Sequence, residues 1–351
     1  MYTIDFMRAH ANWRKLLAAP PYCLRIVEND DLVLFKYTMG RSDYNEPLVL
    51  ECRGLIVDKA TLQPVCYPFN KFFNSVEPHA AAIDWASARV QQKVDGTLVN
   101  VFFWRGQWRF STCGTLFAGE LAPQIKADMA ATGFSFAPLN PSYTYMFEWV
   151  SPTHQIVVPW KRPNFVLLGC RNMCTLQEEV PPPENLPYTR PLTYQLCGLK
   201  AIREAAEALD WHNPDGEGFV VVDAAWNRIK VKSPSYVMAH YVKNNGAISW
   251  RTLWDVVMAG EQDEFCGYVP YMRPQVESLT ARIVGWENEA AALRPQVVSF
   301  ADRKSLAQWA YGRNKLMATY LLGREEDPHK FLQNLSFAAA RRWFSDETLS
   351  V

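Results

Sequence analysis

From about residue 23 to residue 232 the chain runs in short apolar stretches set between turn residues: LRIVENDDLVLFKY, LVLECRGLIVD, TLVNVFFW, QWRFST, YTYMFEWV, NFVLLGC, EGFVVVD and NRIKVK. β-branched and aromatic residues dominate these stretches, so each predicts strand. Two segments within this part, 119–131 and 199–209, carry helix formers at amphipathic spacing and predict helices. The Pro-rich run 180–187 predicts a loop. Beyond Lys232 the period lengthens. Apolar residues recur every three or four positions over 276–293, 302–322 and 330–344, with helix breaks expected at Pro274, Pro295 and Pro328. The pattern therefore predicts a sheet-rich part with a few helices, residues 1–243, and then an all-helical part of ordinary domain size, residues 244–351.

Composition removes several function classes. Thirty-six Lys plus Arg balance 36 Asp plus Glu, which excludes a polycationic nucleic-acid coat, and 49% hydrophobic residues supply a packed interior. No run approaches the roughly 20 apolar residues of a membrane span, and MYTIDFMRAH lacks the apolar core of a signal peptide, so a cytoplasmic protein without membrane attachment is expected. The eight cysteines are scattered, with only Cys170 and Cys174 close together at CxxxC spacing, as in a chain of reduced thiols.

Candidate chemistry lies in five places. Lys93, in Gln92-Lys93-Val94-Asp95-Gly96-Thr97, sits at a break between two strand-like runs. A rigidly held lysine is a nucleophile when its amine is neutral, whereas the same tetrapeptide read alone is an ordinary Asp-Gly hairpin. Lys230 and Lys232 alternate on a strand and share a face, which suits a polyphosphate or simply a solvated edge. Glu217 lies between Gly216 and Gly218 at the mouth of an apolar strand, a place for a hydrated Mg²⁺ or a plain turn. Glu148 interrupts an aromatic strand, where it either needs a partner or faces water. Arg53 and Lys71 stand in the strongly patterned words ECRG and NKFFN.

The order of these features, an arginine, KxDG, an acid in an aromatic strand, EGxVV and then KxK, resembles the covalent nucleotidyltransferase superfamily of polynucleotide ligases and mRNA capping enzymes. The words ECRG, NKFFN, KVDGTLV, FEWVSPTHQIV, EGFVVV and IKVKS resemble, within it, the phage T4 RNA ligase 1 family. The resemblance implies an α+β fold: an N-terminal nucleotidyltransferase domain of antiparallel sheets with flanking helices, of the ATP-grasp-like ligase kind, and an all-α C-terminal domain, which reads either as a module that selects the RNA or as a plain solvated helical face.

By that resemblance Lys93 attacks the α-phosphate of ATP and holds AMP as a phosphoramidate. Lys230 and Lys232 compensate the phosphates and disfavour a charged amine at Lys93. Tyr37, Arg53 and Lys71 are assigned to the β- and γ-phosphates, and Glu148 to the ribose or the lysine. Glu217 is assigned to Mg²⁺ (or Mn²⁺), Asp95 to ATP binding, and Val166 and Leu168 to the adenine wall. Gly96 and Gly218 allow close backbone approach. One position departs from the pattern: Cys113 stands where the family can carry a lysine. The implied reaction seals 5′-phosphate and 3′-hydroxyl ends of RNA, such as a cleaved tRNA loop, or of single-stranded DNA, with the protein acting as a monomer in the cytoplasm, the host's if the source is viral. A capping guanylyltransferase or DNA ligase on the same lysine, and a non-catalytic nucleotide- or RNA-binding module, stand as alternatives. The helical tail speaks against the first two, because both carry an OB fold there.

Overall fold

A computed structural model describes residues 1–179, 186–241 and 248–345. It divides into two compact units, Met1–His240 and Tyr241–Val351. The expected boundary at 243/244 and most of the expected loop over 180–187 lie outside the described residues.

The first unit is α+β and built on three sheets. The first contains β1 (Arg25–Glu28), β2 (Leu32–Lys36), β3 (Arg53–Asp58) and β4 (Gln63–Cys66), antiparallel and in that order. Alternation along β2 and β3 is apolar on both faces, so this sheet is covered twice. Val33, Phe35, Leu55 and Val57 pack against Ile4, Met7, Trp13 and Leu17 of the two N-terminal helices. Leu32, Leu34 and Ile56 pack against Phe102. The word LVLECRGLIVD, expected as strand throughout, divides: Pro47–Glu51 is a short helix and only Arg53–Asp58 is strand. Pro47 presets the first turn of that helix. Glu51, at its end, accepts hydrogen bonds from the Tyr2 and Thr3 backbone N–H groups at 3.1 and 3.0 Å, a carboxylate at the open N-terminus of the first helix.

β5 (Phe73–Asn74) and β6 (Arg89–Gln92) belong to the sheet that closes the unit. Between them and that closure run β7 (Thr97–Trp104), β8 (Gln107–Thr112), β9 (Tyr143–Val150), β10 (Asn164–Asn172) and β11 (Glu178–Glu179), ordered β11-β10-β9-β7-β8. One face of this second sheet buries Tyr145, Phe147 and Trp149 against Ile125 and Met129 of the helix Ala122–Thr132. β12 (Thr193–Tyr194), β13 (Gly218–Val222) and β14 (Arg228–Lys232) complete the third sheet in the order β12-β6-β13-β14-β5. Its strands are antiparallel except for the two-residue parallel contact of β14 with β5. Val90, Phe219, Val221, Ile229 and Val231 form its apolar face, covered by Ile202 and Ala206 of the helix Gly198–Glu207.

The second unit is all-helical among its described residues, with one core that includes Trp254, Leu279, Ile283, Trp286, Tyr320 and Phe344. The helix expected over 276–293 is Arg273–Leu293, and Pro274 lies in its first turn, starting the helix instead of stopping it. The helix expected over 302–322 is two, Arg303–Tyr311 and Lys315–Leu322, because the Asn314 side chain accepts from the Met317 N–H and caps a new start. The one expected over 330–344 likewise divides into Pro328–Gln333 and Phe337–Phe344, capped by Asp327 and Ser336. No helix among the described residues is long and apolar enough to cross a membrane. None of the eight cysteines is in a disulfide.

Candidate active site

Period-two alternation gives the third sheet a polar inner face in three rows. Direct pairing aligns Gly218 with Lys232, Val220 with Gln91 and Lys230, and Val222 with Arg89 and Arg228. Lys93 follows β6 and keeps its pairing: its N–H donates to the Gly218 carbonyl at 2.8 Å. Its ammonium therefore arrives beside Glu217, with Nζ 2.6 Å from Oε1. Glu217 is buried, and burial raises its carboxyl above the usual range while Lys93 and Lys232 pull the other way. Its second oxygen, Oε2, is buried without a hydrogen-bond partner.

A cavity of about 380 Å³ opens over this face, with Lys93, Lys230, Lys232, Arg53, Glu148 and Cys113 on its wall. Glu148 comes from the second sheet. Met146 and Val150 are its neighbours on the face of β9 opposite the helix-covered one, so the side chain meets the cavity and not bulk water. Burial pushes it up to about 8, moderated by Lys93. Burial likewise pushes the Cys113 thiol up, against the pull of Arg53 and Lys36. Arg53 has a buried Nη1 without a hydrogen-bond partner. Gly96 and Leu168 also line the cavity, whereas Val166 sits one layer behind with Val94 and Val150. A Cβ on Gly96 would lie 2.4 Å from the Trp149 carbonyl oxygen, so the turn after Lys93 fits against β9 only as glycine.

The remaining expected residues are elsewhere. Tyr37 hydrogen-bonds Arg53 and is pushed up by burial, behind the cavity wall. The Lys71 ammonium lies 4.7 Å from the Phe73 ring centre and 5.2 Å from that of Tyr37, and faces a neighbouring cavity of about 370 Å³. Asp95 is spent on the protein itself. Oδ2 accepts from the Val157 and Val158 N–H groups at 2.8 and 2.6 Å, and Oδ1 accepts from the Tyr236 hydroxyl at 2.7 Å. Asp95→Ala is expected to cost about 2–4 kcal/mol in urea unfolding, since it strips a buried carboxylate from three donors at once.

Several wall residues escape a motif reading. Gln91 and Arg228 extend the Lys93 and Lys230/Lys232 alternations by one step, a signal present in the sequence. Arg228 is held by Glu178 at 2.6 Å, which also pairs with Arg171 at 3.0 Å. No residue spacing discloses that pairing.

The strand-end lysine, its buried carboxylate partner and the paired lysines of β14 meet around one cavity. The model of the RNA ligase family, of the T4 RNA ligase 1 kind, matches residues 51–236, more than half of the chain, and the chain belongs to that family. A protein of Autographa californica nuclear polyhedrosis virus described as a bifunctional polynucleotide kinase/RNA ligase is 28% identical over 275 residues, covering 70% of this chain and 39% of that protein. The RNA ligase of Rhodothermus phage RM378 is 26% identical over 309 residues, 67% of this chain and 69% of its own. Among solved structures, an archaeal ATP-dependent RNA ligase covers 73% of this chain and 68% of that chain at 13% identity, with a TM-score of 0.47. This chain thus spans about two fifths of the first relative and two thirds of the second.

Proposed function

We propose that this chain is an ATP-dependent RNA ligase that joins 5′-phosphate to 3′-hydroxyl ends, with Lys93 as the nucleophile. The observation that carries this reading is the Lys93–Glu217 contact of 2.6 Å inside a cavity that Lys230, Lys232 and Arg53 also face. In the first step the Lys93 amine forms a bond to the α-phosphorus of ATP, the α–β P–O bond breaks, and pyrophosphate leaves with the electron pair. The amine must lose a proton. Glu217, whose carboxyl burial has raised, stands in hydrogen-bond contact to take it. AMP then passes to the 5′-phosphate of an RNA strand, and the 3′-hydroxyl attacks that activated phosphate, closing the phosphodiester and releasing AMP. Each displacement is chiefly alignment and charge compensation, so one set of cations serves all three.

A divalent cation fits this donor set, because Glu217 Oε2 is buried and without a hydrogen-bond partner. Mg²⁺ or Mn²⁺ held there would offset charge on the phosphates. Leu168 serves as a wall of the adenine site. The helical unit selects the RNA, tRNA-like loops being the substrate class, and the protein works as a monomer in the cytoplasm. The test uses labelled ATP or GTP and 5′-phosphorylated RNA and DNA strands, with and without Mg²⁺. Acid-labile label on the protein from ATP and not GTP, and RNA sealed in preference to DNA, are the expected results. Label from GTP alone, or no label, overturns the reading.

A further inference from the structure

Pairing in the first sheet sets three cations side by side. Arg25 lies directly opposite Lys36, and Lys36 directly opposite Arg53. Like charges facing each other across strands destabilise a sheet, so such a row is a cost to the fold. No carboxylate relieves it: among the described residues none lies within 4 Å of the charged groups of Arg25, Lys36 or Arg53. The row also meets the cavity at its Arg53 end. The turn Cys113-Gly114 lies across it, with Lys36 Nζ 3.4 Å and Arg25 Nη1 3.9 Å from where a Gly114 Cβ would be. Cys113 and Arg53 both stand on the wall of the Lys93 cavity. The buried, unpartnered Nη1 of Arg53 is the inner end of the row, and Lys36 and Arg25 continue it outward.

We infer that Lys36, backed by Arg25, forms a subsite for the terminal phosphate of ATP and for the pyrophosphate that leaves. The inference rests on the ligase reading above. Two of the other cations around the cavity are already neutralised, Lys93 by Glu217 and Arg228 by Glu178. The attacking amine and the departing oxygen lie in line, so the two outer phosphates travel away from Lys93 and need charge outside its own ion pair. Lys36 and Arg53 supply that charge without first breaking a bridge to a carboxylate. An RNA phosphate would suit the same cations. Only the triphosphate, however, must be held during the first step and absent during the last, and that difference separates the two occupants.

The experiment compares Lys36→Ala and Lys36→Arg with the parent in four measurements: lysyl-AMP formation against ATP concentration, inhibition by pyrophosphate, sealing of a strand already adenylylated at its 5′ end, and melting temperature with and without pyrophosphate. Lys36→Ala should raise KM for ATP and weaken pyrophosphate inhibition by about tenfold each, the loss of one charge-assisted hydrogen bond. It should leave the pre-adenylylated strand sealing at the parental rate, and Lys36→Arg should restore ATP use. Without ligand the alanine variant should melt no lower than the parent, because a like-charge contact has gone. Pyrophosphate should raise its melting temperature less than it raises the parent's, a readout that needs no turnover. Unchanged KM and unchanged pyrophosphate response overturn the subsite. Loss confined to the pre-adenylylated strand also overturns it and assigns the row to RNA. A parent that forms no lysyl-AMP from ATP yet shows the pyrophosphate shift fails the ligase reading and leaves the anion subsite standing.

Discussion

Lys93→Ala is expected to form no detectable lysyl-AMP and to seal 5′-phosphorylated RNA at least about a thousandfold more slowly than the parent, while still joining a strand supplied with its 5′-adenylate. The reason is covalent: the first step makes a bond to that nitrogen, and the last does not. The same substitution leaves a trace in stability. Glu217 is raised above its unfolded value by burial, and Lys93 is the first charge that counters this. A carboxyl raised on folding binds more protons in the native state, so its contribution falls as pH rises from its ordinary value through the raised one. Removing Lys93 enlarges that fall. Urea titrations should therefore show the variant close to the parent at pH values below the ordinary carboxyl range and progressively less stable as pH rises above it. A uniform loss across that range would mean that the ion pair does not set the state of Glu217.

Gly218→Ala should be the most damaging single methyl group in the first unit, at about 3–5 kcal/mol in urea unfolding. Two independent penalties add there. The residue has φ +130, a conformation that L side chains rarely adopt, and its Cβ would fall 2.2 Å from the Val231 carbonyl oxygen. That oxygen and the Lys232 Cα, 2.8 Å from the same Cβ, are both backbone, so neither yields by rotating a side chain. Relief requires β13 to part from β14, which moves Glu217 away from Lys93 and unpairs Lys232. Lysyl-AMP formation should therefore fall together with stability. A variant that unfolds like the parent but has lost lysyl-AMP would show that the overlap is absorbed locally and that only the site has shifted.

The residues on the third sheet were legible because their chemistry is written at period two. Lys230 and Lys232 are two apart on a strand and face one cavity, and Lys93, Gly96 and Glu217 sit at strand ends that composition marks. The cross-sheet members were legible only in part. Glu148 offered two readings, and pairing of β9 with β7 and β10 was needed to select one. Lys36 and Arg25 carried no signal, since Arg25 faces Lys36 only through the turn of the first hairpin and Lys36 faces Arg53 only across a bulge. Helix limits failed where caps outrank periodicity. Residues 302–322 keep apolar spacing throughout, yet Asn314 restarts the helix. Leu48 and Val49 have strand-like composition, but Pro47 and the apolar cluster beneath the N-terminal helices hold them helical.

The thiol at position 113 has a practical corollary. Desolvation pushes the Cys113 thiol up although its side chain is only half-buried; Cys23, Cys52, Cys66, Cys170 and Cys266 are buried, whereas Cys174 and Cys197 are exposed. Thiolate and access govern reaction with maleimides and mild oxidants. Dyes or spin labels therefore attach first to the native chain at these two surface handles, with no cysteine replaced.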